Sequence, residues 1–147
     1  MQLTAFTDYT LRTLIYLAIE EGRRATIAEI ADAYGIAENH LTKVVLLLGQ
    51  AGEIETLRGR GGGLRLARPA AEIGIGAVVR RTEPGLALAP CLGTGACVIT
   101  PACGLRPVLA EALDAFLAVL DRYTLADLVG GSRGGLARLL GLPASAG

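Results

Sequence analysis

Three cysteines, Cys91, Cys97 and Cys103, are separated by five residues each time. On an α-helix a step of six residues turns by about 600°, or 240° net, so the thiols would splay around the axis. They can converge only on a loop, and the local sequence supplies one. Between Pro84 and Leu105 no residue is charged, and Pro84, Pro90 and Pro101 stand among Gly85, Gly93, Gly95 and Gly104. Such a density of breakers also argues against a membrane-spanning helix. A zinc ribbon would show C-x2-C pairs and four ligands, and neither is present. A disulfide sensor uses two cysteines and leaves the third unexplained. Three thiolates on one iron–sulfur cluster, with a fourth ligand from elsewhere, account for all of them. Spacing alone leaves cluster, zinc and redox-active or inert thiols open.

The elements around this loop follow from hydrophobic periodicity. Leu11, Leu14, Ile15 and Ala18 make one apolar face, so residues 3–21 are predicted as a helix. Thr26 with Glu29 three residues on is a capping box, and Ile27, Ile30, Ala31 and Tyr34 continue a second helix up to Gly35. A third begins near Ala37–Glu38, with Leu41, Val44, Val45 and Leu48 on its apolar face, and stops at Gly49–Gly52. Two short helices joined at a glycine outline a helix-turn-helix. The period then changes to two. Residues 53–57 and 64–66 alternate as strands around Gly59 to Gly63, which makes a hairpin, or wing. A short helix is expected over 75–81. A long one is expected from Pro107 to about Tyr123, with Leu109, Leu113, Phe116, Leu120 and Tyr123 as a heptad-like stripe. Thr124 and Asp127 cap a last short helix, and the Gly-, Ala- and Ser-rich residues beyond it are expected to be a flexible tail. The fold class is therefore mainly α with a small β-hairpin, a winged helix-turn-helix followed by a long C-terminal helix. The expected divisions are 1–82 for DNA binding, 83–106 for the cysteine loop, 107–130 for the long and short helices, and 131–147 for the tail.

Charge distribution points to a partner. The 147 residues carry 14 basic and 14 acidic side chains and no net charge, which at first argues against nucleic acid. Yet Arg58, Arg60, Arg65 and Arg68 fall between Thr56 and Arg68 with no acid among them. Gly62 and the neighbouring glycines let that backbone approach phosphates or a narrow groove. The exposed side of the third helix begins with Glu38, Asn39, His40, Thr42 and Lys43, hydrogen-bonding types where a recognition helix meets base edges. Gly61-Gly62-Gly63 is not a nucleotide loop, because no Gly-Lys-Ser/Thr follows and no helix opens there. No nucleophile–base pair is evident and His40 is the single histidine, so an enzyme is not expected. Hydrophobic residues make up 52% of the chain, enough for an aliphatic core without tryptophan. Residues 1–10 show no signal-peptide pattern, so a soluble cytoplasmic protein with reduced thiols is expected.

Taken together, several runs resemble a known family. These are Met1-Gln2-Leu3-Thr4 with Phe6-Thr7-Asp8-Tyr9, Asn39-His40-Leu41 with Lys43-Val44-Val45, and Arg58-Gly59-Arg60 with Gly62-Gly63 and Leu64-Arg65-Leu66. The three cysteines with Ile99-Thr100-Pro101-Ala102-Cys103, and Tyr123-Thr124-Leu125-Ala126-Asp127-Leu128-Val129, complete the set. The chain resembles the winged-helix iron–sulfur transcriptional repressors (NsrR/IscR/RirA-like), and within them the nitric-oxide-sensing branch. That resemblance implies a homodimer, joined through the long C-terminal helix, on a palindromic operator of double-stranded DNA. It implies a 4Fe–4S cluster held by Cys91, Cys97, Cys103 and the partner subunit's Asp8, with nitric oxide as signal. A 2Fe–2S cluster is the alternative. The IscR-like branch places a histidine three residues after the third cysteine, where this chain has Arg106, which is no ligand. Asp8 has a second reading, an i,i+4 pair with Arg12 or compensation of the helix N-terminus. Ala37 departs from the usual cap before a recognition helix. An iron- or cluster-status regulator of the same fold, and a zinc- or disulfide-stabilised DNA-binding protein, are the competing functions.

Overall fold

A computed structural model describes residues 1–143. Its elements run in the order α1 (Ala5–Ile19), α2 (Ile27–Tyr34), α3 (Glu38–Gln50), β1 (Ile54–Leu57), β2 (Gly63–Leu66), α4 (Ile75–Thr82), α5 (Leu105–Leu120), α6 (Leu125–Gly130) and α7 (Arg133–Leu139). Among the described residues the one sheet is the antiparallel β1–β2 hairpin, which pairs Ile54 with Leu66 and Leu57 with Gly63. No helix there is long and apolar enough to cross a membrane.

The central element is α1, which packs against α3, α4, α6, α7 and β2. Leu14, Leu17, Ala18 and Ile19 are buried, and so are Thr7, Thr10 and Thr13. A helix enclosed on most sides must satisfy its polar groups internally. Thr10 and Thr13 do so by donating to the carbonyls of Phe6 and Tyr9, each at 2.8 Å. Leu41, Val44 and Leu48 of α3, Ile73, Val78 of α4, and Leu125 and Val129 of α6 complete the aliphatic core.

Local signals set most boundaries. Thr4 caps α1, accepting from the Thr7 amide, so the helix starts at Ala5 instead of at residue 3. Both capping boxes form, at Thr26/Glu29 and Thr124/Asp127. Gly35 closes α2 with φ +64°, a region that glycine enters without steric cost. The start of α3 has no side-chain cap, because Ala37 occupies that place. The long helix begins at Leu105, ahead of the expected Pro107. Pro107 sits in its first turn, where the missing N–H leaves no bond unmade. It stops at Leu120, because the Tyr123 carbonyl accepts from the Ile75 amide at 3.0 Å and Thr124 pairs with Gly74.

The expected flexible tail requires correction. From Arg133 the chain forms α7, and Ala137 and Leu142 are buried against the core. Ala137, Leu136 and Leu140 make an apolar face whose helical spacing the surrounding glycines disguise. Residues 144–147 of the expected tail lie outside the described residues.

The end of α4 joins these parts. Thr82 accepts a hydrogen bond from the Thr7 hydroxyl at 2.8 Å in the interior. Glu83 accepts from the amide and hydroxyl of Thr4, at 2.6 and 3.0 Å. Burial pushes the Glu83 carboxyl up, but the nearby Thr7 hydroxyl dipole and the hydrogen bonds from Thr4 outweigh it and hold it below its ordinary 4.5. A carboxylate held low stabilises fully above its unfolded-state value and loses that contribution as pH falls through the folded-state value. Glu83→Gln is therefore expected to cost about 1 kcal/mol at neutral pH and nothing in strong acid. Urea unfolding at both pH values checks this, and an equal deficit in acid would remove the charged cap as the cause. Ala37→Ser is expected to raise stability by about 1 kcal/mol by supplying the missing cap, read in the same titration.

Candidate nucleic-acid interface and cysteine loop

The candidate recognition surface is built on α3. Leu41, Val44 and Leu48 bury one face, and that leaves Glu38, Asn39, His40, Thr42 and Lys43 exposed on the other. Ile36 donates to the Ala31 carbonyl at 3.0 Å, which fixes the turn from α2. The Thr42 hydroxyl is turned back onto the Glu38 carbonyl at 3.0 Å. His40 stacks on Tyr9 of α1, with ring centroids 5.9 Å apart and planes 17° from parallel. Leu46, 63% exposed, continues this face by one turn. Sequence reading passed over it because leucine in an amphipathic helix reads as core.

The wing is held from outside the hairpin. Ala25 and Leu64 exchange backbone hydrogen bonds at 2.9 and 2.7 Å, and Arg24 donates to the Gly61 carbonyl at 2.8 Å. Gly62 donates to the Gly59 carbonyl, and a Cβ on it would stand 2.3 Å from the Leu57 carbonyl oxygen. Gly62 is thus required by the turn itself. Arg65 is paired across the strands with Glu55, its register partner, and Arg68 donates to the Glu72 carbonyl. Arg58 and Arg60 are exposed and form no ion pair among the described residues. The acid-free run therefore divides into two arginines with structural partners and two without. Arg24 adds a cation beside the wing tip. The signal for it was weak, because it lies outside the arginine run and reaches the wing only in three dimensions.

The cysteine loop leaves α4 at Glu83 and enters α5 at Leu105. It contains two short 3₁₀ turns, Pro90–Leu92 and Thr100–Ala102. Cys91 lies in the first and is half-buried, Cys97 is exposed, and Cys103 follows the second and is half-buried. All three are free thiols. Gly95 folds back on Pro90, donating to its carbonyl at 2.9 Å, and a Cβ there would meet Pro90 at 2.7 Å. Arg106 donates to the Cys91 carbonyl at 3.2 Å and ties the first turn to the start of α5.

Asp8 stands in the first turn of α1 and pairs with Arg12 at 3.0 Å, the i,i+4 geometry expected of that spacing. It borders an open groove with Gln2, Thr4, Tyr9 and Arg12. The Arg12 guanidinium also lies 5.6 Å from the centre of the Tyr34 ring, whose hydroxyl is pushed up to about 12 chiefly by burial. Within one chain the candidate ligands are not gathered. Among the described residues no three His, Cys, Asp or Glu side chains are close enough to hold a metal ion. The donor chemistry nonetheless fits a cluster, since three free thiols share one loop without a competing charge.

α5 has an unusual surface. Its 16 residues include none that is buried, although most are apolar. Leu105, Val108 and Val119 are 60%, 58% and 44% exposed, which leaves an apolar helix face without a partner in the chain.

Comparison with known proteins places this architecture. The model of the Rrf2 family, described as an iron-dependent transcriptional regulator, matches residues 3–131. The chain is 55% identical over 132 residues to the HTH-type transcriptional regulator NsrR of Geobacillus kaustophilus, covering 88% of this chain and 90% of that one. It is 54% identical to NsrR of Bacillus subtilis over the same shares. Among solved structures, CymR, the global cysteine regulator of B. subtilis, superposes with a TM-score of 0.75 at 25% identity, covering 89% of this chain and 98% of that one. IscR of T. potens shares the fold, with a TM-score of 0.73 at 24% identity over 90% and 88% of the two chains. The two-helix reader, its wing and the match along most of the chain agree: the protein belongs to the Rrf2 family of transcriptional regulators and is a DNA-binding repressor, not an enzyme.

Proposed function

We propose that the protein is a homodimeric repressor that senses nitric oxide through a 4Fe–4S cluster. One observation carries the reading. The three free thiols sit on a loop whose stem, Thr82–Glu83, is hydrogen-bonded to Thr7 and Thr4 in the first turn of α1, the turn that bears Asp8. Cys91, Cys97 and Cys103 would hold the cluster, with the partner subunit's Asp8 as the fourth ligand. When bound, the cluster supplies iron that a small neutral molecule can attack. A carboxylate is a harder and more replaceable ligand for such iron than a thiolate. The chain's own contribution is mechanical. A change in the loop acts on the stem, the stem acts on α1, and α1 carries Tyr9 against His40 of the recognition helix. The unpartnered apolar face of α5 supports pairing with a second copy, which sets the spacing of two recognition helices on a palindromic operator.

On DNA, Glu38, Asn39, His40, Thr42 and Lys43 face the base edges, and Arg58, Arg60 and Arg65 lie towards phosphate around the Gly62 turn. The second reading is an iron- or cluster-status regulator, favoured by the family's description as iron-dependent.

Iron and sulfide near four each per chain after anaerobic purification are expected, against two each for a 2Fe–2S cluster. Zinc in their place would sink the cluster reading, and operator binding indifferent to nitric oxide would favour the second reading. Cys97→Ala is expected to abolish the visible absorption and operator binding together, and retained specific binding would uncouple the loop from DNA. Arg60→Ala is expected to lower the slope of log affinity against log salt by about 0.9. Arg65→Ala is expected to lower it less, because Glu55 already neutralises Arg65, and equal slopes for the two variants would contradict that assignment.

A further inference from the structure

The root of the wing contains a buried charge that the proposed function does not use. Glu53 is the residue before β1. Its amide donates to the Leu48 carbonyl at 3.0 Å and its carbonyl accepts from the Ala67 amide at 3.0 Å, so its backbone closes the base of the hairpin. Its side chain is only 4% exposed. Oε1 accepts from the Arg81 guanidinium of α4, while Oε2 is buried with no partner among the described residues. A buried carboxylate with one oxygen unpaired is a poor way to stabilise a core, and apolar side chains of similar volume often do as well or better. What an ion pair provides and an apolar contact does not is direction, because the guanidinium fixes where the carboxylate lies.

The direction matters at this position. Of the wing's other outside restraints, the Ala25–Leu64 bonds and Arg24 to Gly61 come from the segment between α1 and α2 and act on β2 or the turn, and Ile54 and Leu64 pack its base into the core. Apolar packing of that kind is non-directional. Glu53 sits at the root, next to β1, and its partner belongs to a different element, α4. Arg81 in turn stands two residues before Glu83, where the cysteine loop begins.

We propose that Glu53 and Arg81 form the positioning pair of the wing, holding Arg58 and Arg60 at the phosphate backbone and linking the wing's tilt to the stem of the cysteine loop. This rests on the reading of Arg58 and Arg60 as phosphate contacts. The pair touches no DNA itself and acts through the hairpin. Simple electrostatics and positioning predict opposite effects for Glu53→Gln. Removing a negative charge strengthens attraction to DNA, whereas releasing the wing withdraws two cations from it.

The test measures binding of the protein to a mixed-sequence DNA duplex across a salt series, with circular dichroism as the control for folding. R58A/R60A is expected to lower the salt slope by about 1.8, at about 0.9 per contact. E53Q is expected to lower it by a similar amount, and E53Q combined with R58A/R60A to lower it no further. A wild-type slope for E53Q, or a loss that adds to that of R58A/R60A, overturns the positioning role. If R58A/R60A leaves the slope of the native protein unchanged, the phosphate-contact reading fails first and the proposal falls with it. Should E53Q not fold, E53Q/R81Q leaves neither charge buried alone and keeps the net charge. In that variant a lowered slope supports the pair and a wild-type slope overturns it.

Discussion

At the end of α4, four residues in a row grip three other parts of the molecule. Arg80 makes a two-pronged pair with Asp121 just past α5, and Arg81 reaches Glu53 at the root of the wing. Thr82 meets Thr7 inside the core, and Glu83 caps the start of α1 at Thr4. Arg80, Arg81 and Thr82 are helical and point about 100° apart, and Glu83 follows in extended backbone, so the four face different ways. A single turn can therefore address several elements at once. The wing, the central helix and the end of α5 are thus referred to one short segment, from which the cysteine loop departs.

The contacts differ in kind. Arg80–Asp121 is exposed, so it adds little stability and serves mainly to set geometry. Its close approach depends on Gly76, where a Cβ would stand 1.9 Å from the Asp121 carboxylate. Thr7–Thr82 is buried, and the Thr82 hydroxyl that accepts it donates onward to the Val78 carbonyl, so the bond ties α1 to the backbone of α4. A buried bond flanked by directional ion pairs suits the role proposed for this segment, passing on a displacement without unfolding.

Zero net charge conceals a division of labour among arginines. Arg65, Arg80 and Arg81 are committed to carboxylates within the chain. Arg58 and Arg60 are left on the wing with no such partner among the described residues. A sequence total cannot separate the two groups, because both contribute one charge each. The pairing decides where the positive potential appears.

The sequence alone determined what acts over a few residues. Thr26 with Glu29 and Thr124 with Asp127 could be recognised as capping boxes, Gly35 as the end of α2, and the alternation around Gly59–Gly63 as a hairpin. The cysteine spacing excluded a shared helix face. Where several local signals competed, it misled. The glycines beyond Gly130 masked α7, and the stripe through Tyr123 overran a helix that a backbone bond to Ile75 stops at Leu120. Only the tertiary structure decided which arginines remain free, that Glu53 is buried against Arg81, and that the stem of the cysteine loop is fastened to the first turn of α1. Those partners lie 28, 75 and 79 residues apart in the chain. Local propensity falls off within a turn or two, whereas ion pairs and buried hydroxyls depend on distances that only the packed chain defines.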